Sequence, residues 1–535
     1  MSDYNEKLSF SLVFNIIKVH NGILTVSGYV DSGSVPYTEY QLYYDTADGT
    51  RTPVTLTDTM FSYSSEQIKI ADFGGFDFSV KLSDSGKLSF VLDFAGTSVT
   101  PHINFDYRCV VNNTRRKAVC GNHIVETLPG SCCLTFRKAD MFSRMKVALQ
   151  ADIIAFRENK SALVYRLASK LLRSGEIWIY CDRDNLTDNA YYQFIHDSEI
   201  KDGVRRYYVV KSLKNADKLF TPEQRKNLLI FRSFRHKILF INASKILTSF
   251  NSATIISPHG DKPLKWYYDL IDMDIIYLQH GVLHANLPFM YAKEKSNVDK
   301  VVISSDFERK NFCENYRFKE EELLYSGMPR FDTIDITTPA KKKILFSPSW
   351  RKNLIGEYID NKRELYVDKF LDSPFYKEIN KFLNSKELAD LLEKYDLTLD
   401  FKNHPIFSEY DSYIKADNPR INVTQEGINM QDYLTMITDY SSVVFDFVYL
   451  NRPIIYFVPD YDEFCQGLTH SYSKLDLPLE EGFGDITLNS EDLLNSLRKL
   501  AENDFKTAPV YKKRTDDFFG ERTTTHRDRL YELVK

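Results

Sequence analysis

The sequence lacks any run of 18 or more apolar residues, and this absence argues against a membrane-spanning helix. Met1 to Asn5 lead into a strand-like pattern and not into a basic stretch followed by an apolar one, so no signal peptide is predicted. These two absences lead us to expect a protein that is made and kept in the cytoplasm.

An excess of basic residues is also lacking. The chain carries 69 Lys and Arg against 74 Asp and Glu, a formal net charge of -5 over 535 residues. Dedicated nucleic-acid binders usually contain a strongly basic domain, so this balance argues against nucleic acid as a partner. With 43% hydrophobic and 27% charged residues, the composition is that of a folded globular protein with room for several domains.

Cysteine is scarce and has no metal-binding spacing. The seven cysteines form no CxxC pair and have no His partner at zinc-like spacing, so we interpret them as free thiols and predict no metal. P-loop, GxGxxG, HExxH, GxSxG and DxD motifs are also missing from convincing positions, and no cofactor is predicted. The chemistry must therefore be sought in less familiar segments.

The order of apolar patterns predicts four segments. Residues 1–130 alternate apolar and polar positions between turn residues, which is typical of a β-sandwich. Residues 131–175 have a helical period and form a predicted amphipathic linker. From residue 176 onward, β-branched runs alternate with helix-length stretches, which predicts two parallel-sheet domains, 176–337 and 338–535.

The helical span from Phe136 to Arg173 is unusually basic. It holds nine Lys and Arg against three Asp and Glu. One interpretation is a solvated face on helices that pack between domains. The other is a basic amphipathic surface that lies on anionic lipid, which would make the protein peripheral at the inner face of the cell membrane.

Polar segments follow the predicted strands of the α/β half, and open α/β sheets bind ligands at the carboxyl ends of their strands. Gln279-His280-Gly281 and Lys402-Asn403-His404-Pro405 each place a histidine at such an end, with His259 and His284 as rivals. Arg351, in Ser349-Trp350-Arg351, is suited to a bidentate grip on a phosphate or to a surface ion pair. Each segment alone also fits a purely structural role.

The segment Thr438-Asp439-Tyr440-Ser441-Ser442 is the most informative. It joins a predicted buried strand to a predicted helix, so its hydroxyl and backbone N–H groups would lie at a helix N-terminus, where the dipole favours a phosphate. A serine that only caps the helix would give the same pattern. A further segment, Gly327 to Asp332, contains Arg330 and has the turn chemistry of a hinge.

Taken in order, these segments resemble the signature of the CDP-glycerol glycerophosphotransferase family, which builds and primes wall teichoic acids and related capsular polymers. The likeness runs from about Glu176 to the C-terminus and leaves residues 1–130 outside it. It rests on Asp188-Asn189, His280-Gly281, Gly327 to Asp332, Ser349-Trp350-Arg351, His404-Pro405, Thr438 to Ser442 and Phe445-Asp446. The resemblance implies an α/β fold with two Rossmann-like domains of the glycosyltransferase-B type, the donor bound mainly by the second and the acceptor entering from the first.

The resemblance also implies an enzyme that moves glycerol phosphate from CDP-glycerol to a hydroxyl of a lipid-linked teichoic-acid or capsular polymer and releases CMP. His280 would be the general base, and His404 would act with it by holding the diphosphate. The donor-binding residues would be Arg330, Arg351, Thr438, Asp439, Ser441, Ser442 and Asp446. No metal is required if the helix terminus, arginine and histidine supply the countercharge.

Three alternatives stay open. A CDP-ribitol transferase would share every residue named above. A nucleotide-sugar epimerase or sialyltransferase would use the same two-domain fold, and a non-catalytic polymer-binding protein would depend on the β-domain. The sequence predicts neither the acceptor, nor primase or polymerase behaviour, nor the oligomeric state.

Overall fold

In the computed structural model the chain forms two compact units. Unit 1 comprises Met1–Tyr277 and Phe289–Asp299, and unit 2 comprises Leu278–Pro288 and Lys300–Lys535. The structure describes residues 10–20, 22–33, 35–59, 64–65, 68–69, 73–106, 109–112, 115–128, 130–172, 175–182, 187–214, 216–251, 256–260, 262–296, 298–359, 362–520 and 522–535. Within these ranges, no helix is both long enough and apolar enough to cross a membrane.

Unit 1 begins with two largely antiparallel sheets. Side chains alternate between the two faces of a strand, and the inward-facing ones, such as Leu12, Leu42 and Leu92, form one hydrophobic core shared by both sheets. The first sheet has the strand order His102–Phe105, Ser11–His20, Ile23–Asp31, Gly74–Lys81, Thr57–Asp58. The second has the order Lys117–Cys120, His123–Thr127, Cys133–Lys138, Ser85–Phe94, Tyr40–Asp45, Arg51–Val54, and Thr97–Val99 also pairs with Ser85–Phe94. A short ladder pairs Ser64–Ser65 with Ile68–Lys69.

Two helices follow, Met141–Glu158 and Lys160–Leu171. The strand Cys133–Lys138 occupies the start of the span whose period predicts helix, because it is paired with a strand on each side. The first helix begins at Met141, since the Asp140 carboxylate caps it by accepting a hydrogen bond from the Ser143 amide.

Arg166, a basic residue of the second helix, is buried. Arg166 has an exposed side-chain fraction of 0% and donates to Asp152 at 2.6 Å and to Asp269 at 2.7 Å. Because its charge is compensated inside the protein, the sequence count overstates the basic surface of the span. Arg173, the last basic residue of that count, lies outside the described residues.

The rest of unit 1 is a parallel α/β layer. Its strands lie in the order Leu228–Ile230, Arg205–Val210, Ile177–Cys181, Lys245–Thr248, Asp274–Tyr277, all parallel to their neighbours. The helices of this part are Asn189–Asp197, Pro222–Arg225 and Phe234–Ile241, and the short helix Pro288–Tyr291 follows. The order changes direction at Ile177–Cys181, which makes the carboxyl end of this strand a switch point.

Unit 2 has a parallel pair of strands, Lys300–Ile303 and Leu323–Tyr325, and a larger parallel sheet. The larger sheet has the order Ile421–Val423, Thr398–Phe401, Lys343–Phe346, Thr435–Thr438, Ile454–Phe457, Gly484–Thr487. Numbered along the chain, this order is 3-2-1-4-5-6, the doubly wound order of Rossmann folds. The predicted α/β class with parallel sheets is confirmed.

Both faces of the larger sheet are covered. Ile344 and Phe346 face one hydrophobic core, and Leu345 between them faces the other. The helices of unit 2 are Asp306–Glu314, Val367–Asp372, Pro374–Leu383, Lys386–Lys394, Val444–Tyr449, Tyr461–Cys465, Ser490–Glu502, Pro509–Phe519 and His526–Val534. An antiparallel pair, Ile355–Ile359 with Lys362–Leu365, follows the first strand of the sheet.

Candidate functional site

Two loops meet at the switch point of the larger unit 2 sheet. One follows Lys343–Phe346 and the other follows its neighbour Thr435–Thr438. The Ser349 amide donates to both carboxylate oxygens of Asp439, at 2.9 and 3.0 Å, across 90 residues of sequence. The sheet order thus brings two of the predicted motifs to one edge.

The buried Arg351 side chain contacts both of these loops. Its side chain is 0% exposed, and the guanidinium donates to Asp439 at 2.6 Å and to the two oxygens of Asp460 at 2.6 and 3.0 Å. Burial lowers the pKa of Arg351, but the two carboxylates outweigh burial and raise it overall. In this arrangement Arg351 positions the loops and has no exposed donor for the predicted grip on a diphosphate.

The turn after Thr438 contains both buried and accessible groups. Thr438 and Asp439 are buried, and the Thr438 hydroxyl donates to the Ser347 carbonyl at 2.9 Å. Ser441 and Ser442 are partly exposed. The helix that follows, Val444–Tyr449, has only six residues, so the serine hydroxyls are the stronger candidates for contact with a ligand.

The loop that contains His280 lies against this turn within unit 2. His280 is exposed, and a Cβ on the next residue, Gly281, would come within 2.9 Å of the Ser442 hydroxyl. The Arg330 guanidinium donates to the His280 carbonyl and to both carboxylate oxygens of Asp446, at 2.7 and 2.8 Å. The structure therefore brings together four predicted site residues, His280, Arg330, Ser442 and Asp446.

His404 occupies a different position. It follows the strand Thr398–Phe401, its Nδ1 accepts a hydrogen bond from the Ile406 amide at 3.2 Å, and its ring centre lies 6.5 Å from that of Trp350. The ring thus caps the turn that Pro405 begins. Its placement beside the Ser349-Trp350-Arg351 segment keeps it on the same sheet edge as Asp439.

The two rival histidines are structural. Burial lowers the pKa of His284 to about 4, and its ring packs edge-on against Phe445 at 5.1 Å. Burial also lowers the pKa of His259 to about 4, and its Nε2 hydrogen bonds to the Lys237 carbonyl at 3.1 Å. Both are neutral and enclosed at neutral pH.

Two further residues, His470 and Asp460, contact Ser349 and Arg351 but were not predicted as site residues. His470 hydrogen bonds to the Ser349 hydroxyl at 3.0 Å, and burial lowers its pKa to about 2, which keeps it neutral. Asp460 is the second carboxylate on Arg351. No local motif marks either residue, because both acquire their roles from partners more than 100 residues away.

The switch point of the unit 1 sheet is occupied by the protein itself. The Asp182 carboxylate accepts hydrogen bonds from the Tyr191 amide at 2.7 Å, the Ser249 hydroxyl at 2.6 Å and the Tyr208 hydroxyl at 2.9 Å. Burial raises its pKa to about 6. An internal carboxylate therefore already binds backbone N–H groups in the first turn of Asn189–Asp197.

A doubly wound parallel sheet with a polar cluster at its switch point defines a protein of the Rossmann-fold class. The sequence model of the CDP-Glycerol:Poly(glycerophosphate) glycerophosphotransferase family matches residues 163–535. The chain belongs to this family.

Curated relatives agree with this assignment. The chain is 28% identical over 390 residues to the minor teichoic acid biosynthesis protein GgaB of Bacillus subtilis (strain 168), covering 70% of this chain and 42% of the relative. It is 23% identical over 401 residues to a teichoic acid poly(glycerol phosphate) polymerase of Staphylococcus epidermidis, covering 69% of this chain and 51% of the relative. The chain thus spans about half the length of these relatives.

A solved structure shares the fold. The wall teichoic acid polymerase TagF superposes with a TM-score of 0.50 at 17% sequence identity, covering 74% of this chain and 98% of that chain. At this identity the similarity establishes the fold alone.

Proposed function

We propose that this protein transfers glycerol phosphate from CDP-glycerol to a hydroxyl group of a teichoic-acid or capsular polymer and releases CMP. The observation that carries the proposal is the cluster in unit 2 where the His280 loop, Arg330, Ser442 and Asp446 meet, in a chain of the glycerophosphotransferase family. A relative that is named a poly(glycerol phosphate) polymerase supports the choice of donor.

The proposal includes a finer description of the fold. We assign two Rossmann-like domains of the glycosyltransferase-B type to 176–337 and 338–535, after a β-sandwich domain predicted at 1–130 and a helical linker predicted at 131–175. The strand Cys133–Lys138 extends the sandwich beyond 130, so the helical linker begins at Met141. Of the first Rossmann-like domain, residues 278–288 and 300–337 belong to unit 2. The likeness to TagF and the doubly wound sheets support this assignment. The donor is assigned mainly to 338–535, because the serine hydroxyls there are accessible whereas Asp182 fills the earlier switch point.

In the proposed reaction an acceptor hydroxyl attacks the phosphorus that bears glycerol. A new P–O bond forms, the P–O bond to CMP breaks, and CMP leaves with the bridging oxygen. The acceptor proton passes to His280, which acts as general base. Charge on the diphosphate would be stabilised by Ser441, Ser442 and Arg330. His404, which follows the strand Thr398–Phe401, would contribute to the same stabilisation.

The direct test is CMP release by the purified protein from CDP-glycerol and from CDP-ribitol, each with a lipid-linked acceptor. We expect release from CDP-glycerol and transfer of labelled glycerol phosphate to the acceptor. Preference for CDP-ribitol would change the donor, and turnover of a nucleotide sugar alone would favour the epimerase class. The absence of any turnover, with retained polymer binding, would favour a non-catalytic role.

We also propose that the two helices after the β-sandwich dock on an anionic membrane. Along Met141–Glu158 the apolar residues Met141, Met145 and Leu149 recur at four-residue spacing and are 70%, 60% and 60% exposed. The second helix, Lys160–Leu171, exposes Val164, Leu167 and Leu171, at spacings of three and four residues. The same span exposes five basic residues, two on the preceding strand and three on the helices: Arg137, Lys138, Lys146, Arg157 and Lys160. Apolar insertion beside basic charge is the pattern that binds anionic lipid, with about 1 kcal/mol per basic residue.

Flotation with anionic and neutral liposomes at low and high salt tests this docking. A variant with four exposed basic residues of the span changed to glutamine should lose flotation with anionic liposomes: Arg137, Lys138, Lys146 and Lys160. The matched control changes four exposed lysines of unit 2, and should float like the wild type: Lys342, Lys377, Lys512 and Lys513. Equal flotation of both variants, or none by the wild type, would contradict the proposal.

A further inference from the structure

The residue before His280 has an unusual backbone conformation. Gln279 is in the left-handed region, with φ 61°, and its side chain is fully buried. Residues other than glycine, asparagine and aspartate rarely adopt this conformation, and such strain tends to occur where a functional group must be held in a defined direction.

The Gln279 side chain is held at three points. Its amide nitrogen donates to the Val302 carbonyl at 2.7 Å and to the Glu308 carboxylate at 2.6 Å. Its amide oxygen accepts a hydrogen bond from the Leu283 backbone at 3.2 Å. These contacts tie the strained residue to a strand, to a helix and to the far side of its own loop.

The Glu308 carboxylate makes two kinds of contact: it caps a helix, and it binds the Gln279 side chain. It is the third residue of the helix Asp306–Glu314 and forms a capping arrangement, in which its Oε2 accepts hydrogen bonds from the Ser304 amide at 2.7 Å and the Ser305 hydroxyl at 3.3 Å. The other oxygen, Oε1, binds Gln279. Burial raises the pKa of this carboxyl to about 7. Because the capping contacts use Oε2, the contact between Oε1 and Gln279 is not part of the cap.

We infer that Gln279 and Glu308 form a clasp that keeps the backbone before His280 in its left-handed conformation and thereby aims the imidazole at the acceptor hydroxyl. Both are positioning residues, and the inference rests on the proposed transferase function. A glycine at 279 would reach the same φ without strain but would leave the direction of His280 undefined. Misplacing a catalytic group by about 1 Å can cost on the order of a hundredfold in rate, so the clasp should affect turnover more than donor binding.

Two single variants and their combination test the clasp. Gln279→Gly permits the left-handed conformation but removes the side chain that holds it, whereas Glu308→Asp keeps an acid in the first helical turn but shortens its reach to Gln279. For each we expect kcat of CMP release to fall by roughly ten- to a hundredfold, with the KM for CDP-glycerol within about twofold of wild type. The double variant should lose no more than the more impaired single variant, because Glu308→Asp removes a contact that Gln279→Gly has already removed.

Ala95→Gly is the matched control. Ala95 is another non-glycine residue with positive φ, 48°, in a hairpin of unit 1, so the change relieves strain without removing a polar contact and should leave kcat unchanged. If a clasp variant fails to fold, Gln279→Asn provides the same test, since asparagine accepts the left-handed conformation but is too short to reach Glu308.

The outcomes separate the clasp from the proposed function. If the wild type releases CMP but both clasp variants keep kcat within about twofold, or if their losses multiply in the double variant, the clasp inference is overturned alone. If the wild type releases no CMP from any CDP-polyol, the proposed function is overturned, and the clasp inference with it.

Discussion

Among the described contacts, Arg351 is the only cation that lies between Asp439 and Asp460. Replacing it by methionine removes this positive charge. The arginine is 0% exposed, and the two carboxylates are 0% and 1% exposed. Methionine fills a similar volume but leaves two buried carboxylates without a cation. Breaking a buried ion pair in this way costs about 3–5 kcal/mol. At ~2–4 °C per kcal/mol for a domain of roughly 200 residues, the melting temperature should fall by about 10 °C.

Calorimetry and urea unfolding measure the loss of stability, and titration with CDP-glycerol below the transition measures donor affinity. We expect affinity to weaken as well, because Asp439 anchors the turn that presents Ser441 and Ser442. Arg420→Met is the control. Its ion pair with Asp396 spans 3.1 Å between side chains that are 35% and 70% exposed, so its loss should cost at most about 1 kcal/mol.

A loss of stability in Arg351→Met no larger than that in Arg420→Met would contradict a stabilising role for the buried ion pairs. A further variant checks the electrostatic cause. Adding Asp460→Asn to Arg351→Met should recover part of the lost stability, because one of the two uncompensated carboxylates becomes neutral. If the second change instead adds to the loss, packing and not charge explains the effect.

Three other changes have distinct expected results. His280→Ala should lower the rate of transfer by ~10² to 10⁴ while donor binding stays nearly intact, and near-normal turnover would remove its role as base. The double change Ser441→Ala with Ser442→Ala should weaken donor affinity in calorimetry, and wild-type affinity with an intact fold would place the phosphate contacts elsewhere. Asp269→Asn should make the stability of the protein less dependent on pH in acid, measured as the urea midpoint at each pH. Although burial opposes the shift, its arginine partners lower the Asp269 pKa from 3.8 to about 2, so its contribution is present above about pH 4 and is lost as the pH falls towards 2. An unchanged pH profile would show that the Asp269–Arg166 pair is not what acid disrupts.

Several features of the candidate site could be predicted because they depend on neighbouring residues. The buried strand Thr435–Thr438 is marked by its apolar run, and the short polar turn after it marks the strand end. His404 caps a turn because Pro405 follows it, which is a constraint of backbone geometry alone. Even Glu308 carries a local mark, since Ser305 three residues earlier gives a capping-box pattern.

The parallel α/β class, the chain positions of the motifs and the family they resemble can be inferred from the linear chain, because apolar period and turn chemistry are local properties. The burial of individual charges and the pairing of distant groups follow only from the folded arrangement. The sequence around Arg351 is compatible with a surface cation. In the fold its side chain is buried between the carboxylates of Asp439 and Asp460, which are 88 and 109 residues away in sequence. Arg330 likewise finds Asp446 116 residues further along the chain. The physical reason is that desolvation and ion pairing depend on distances in space, and the strand order that sets those distances is not encoded by any short segment.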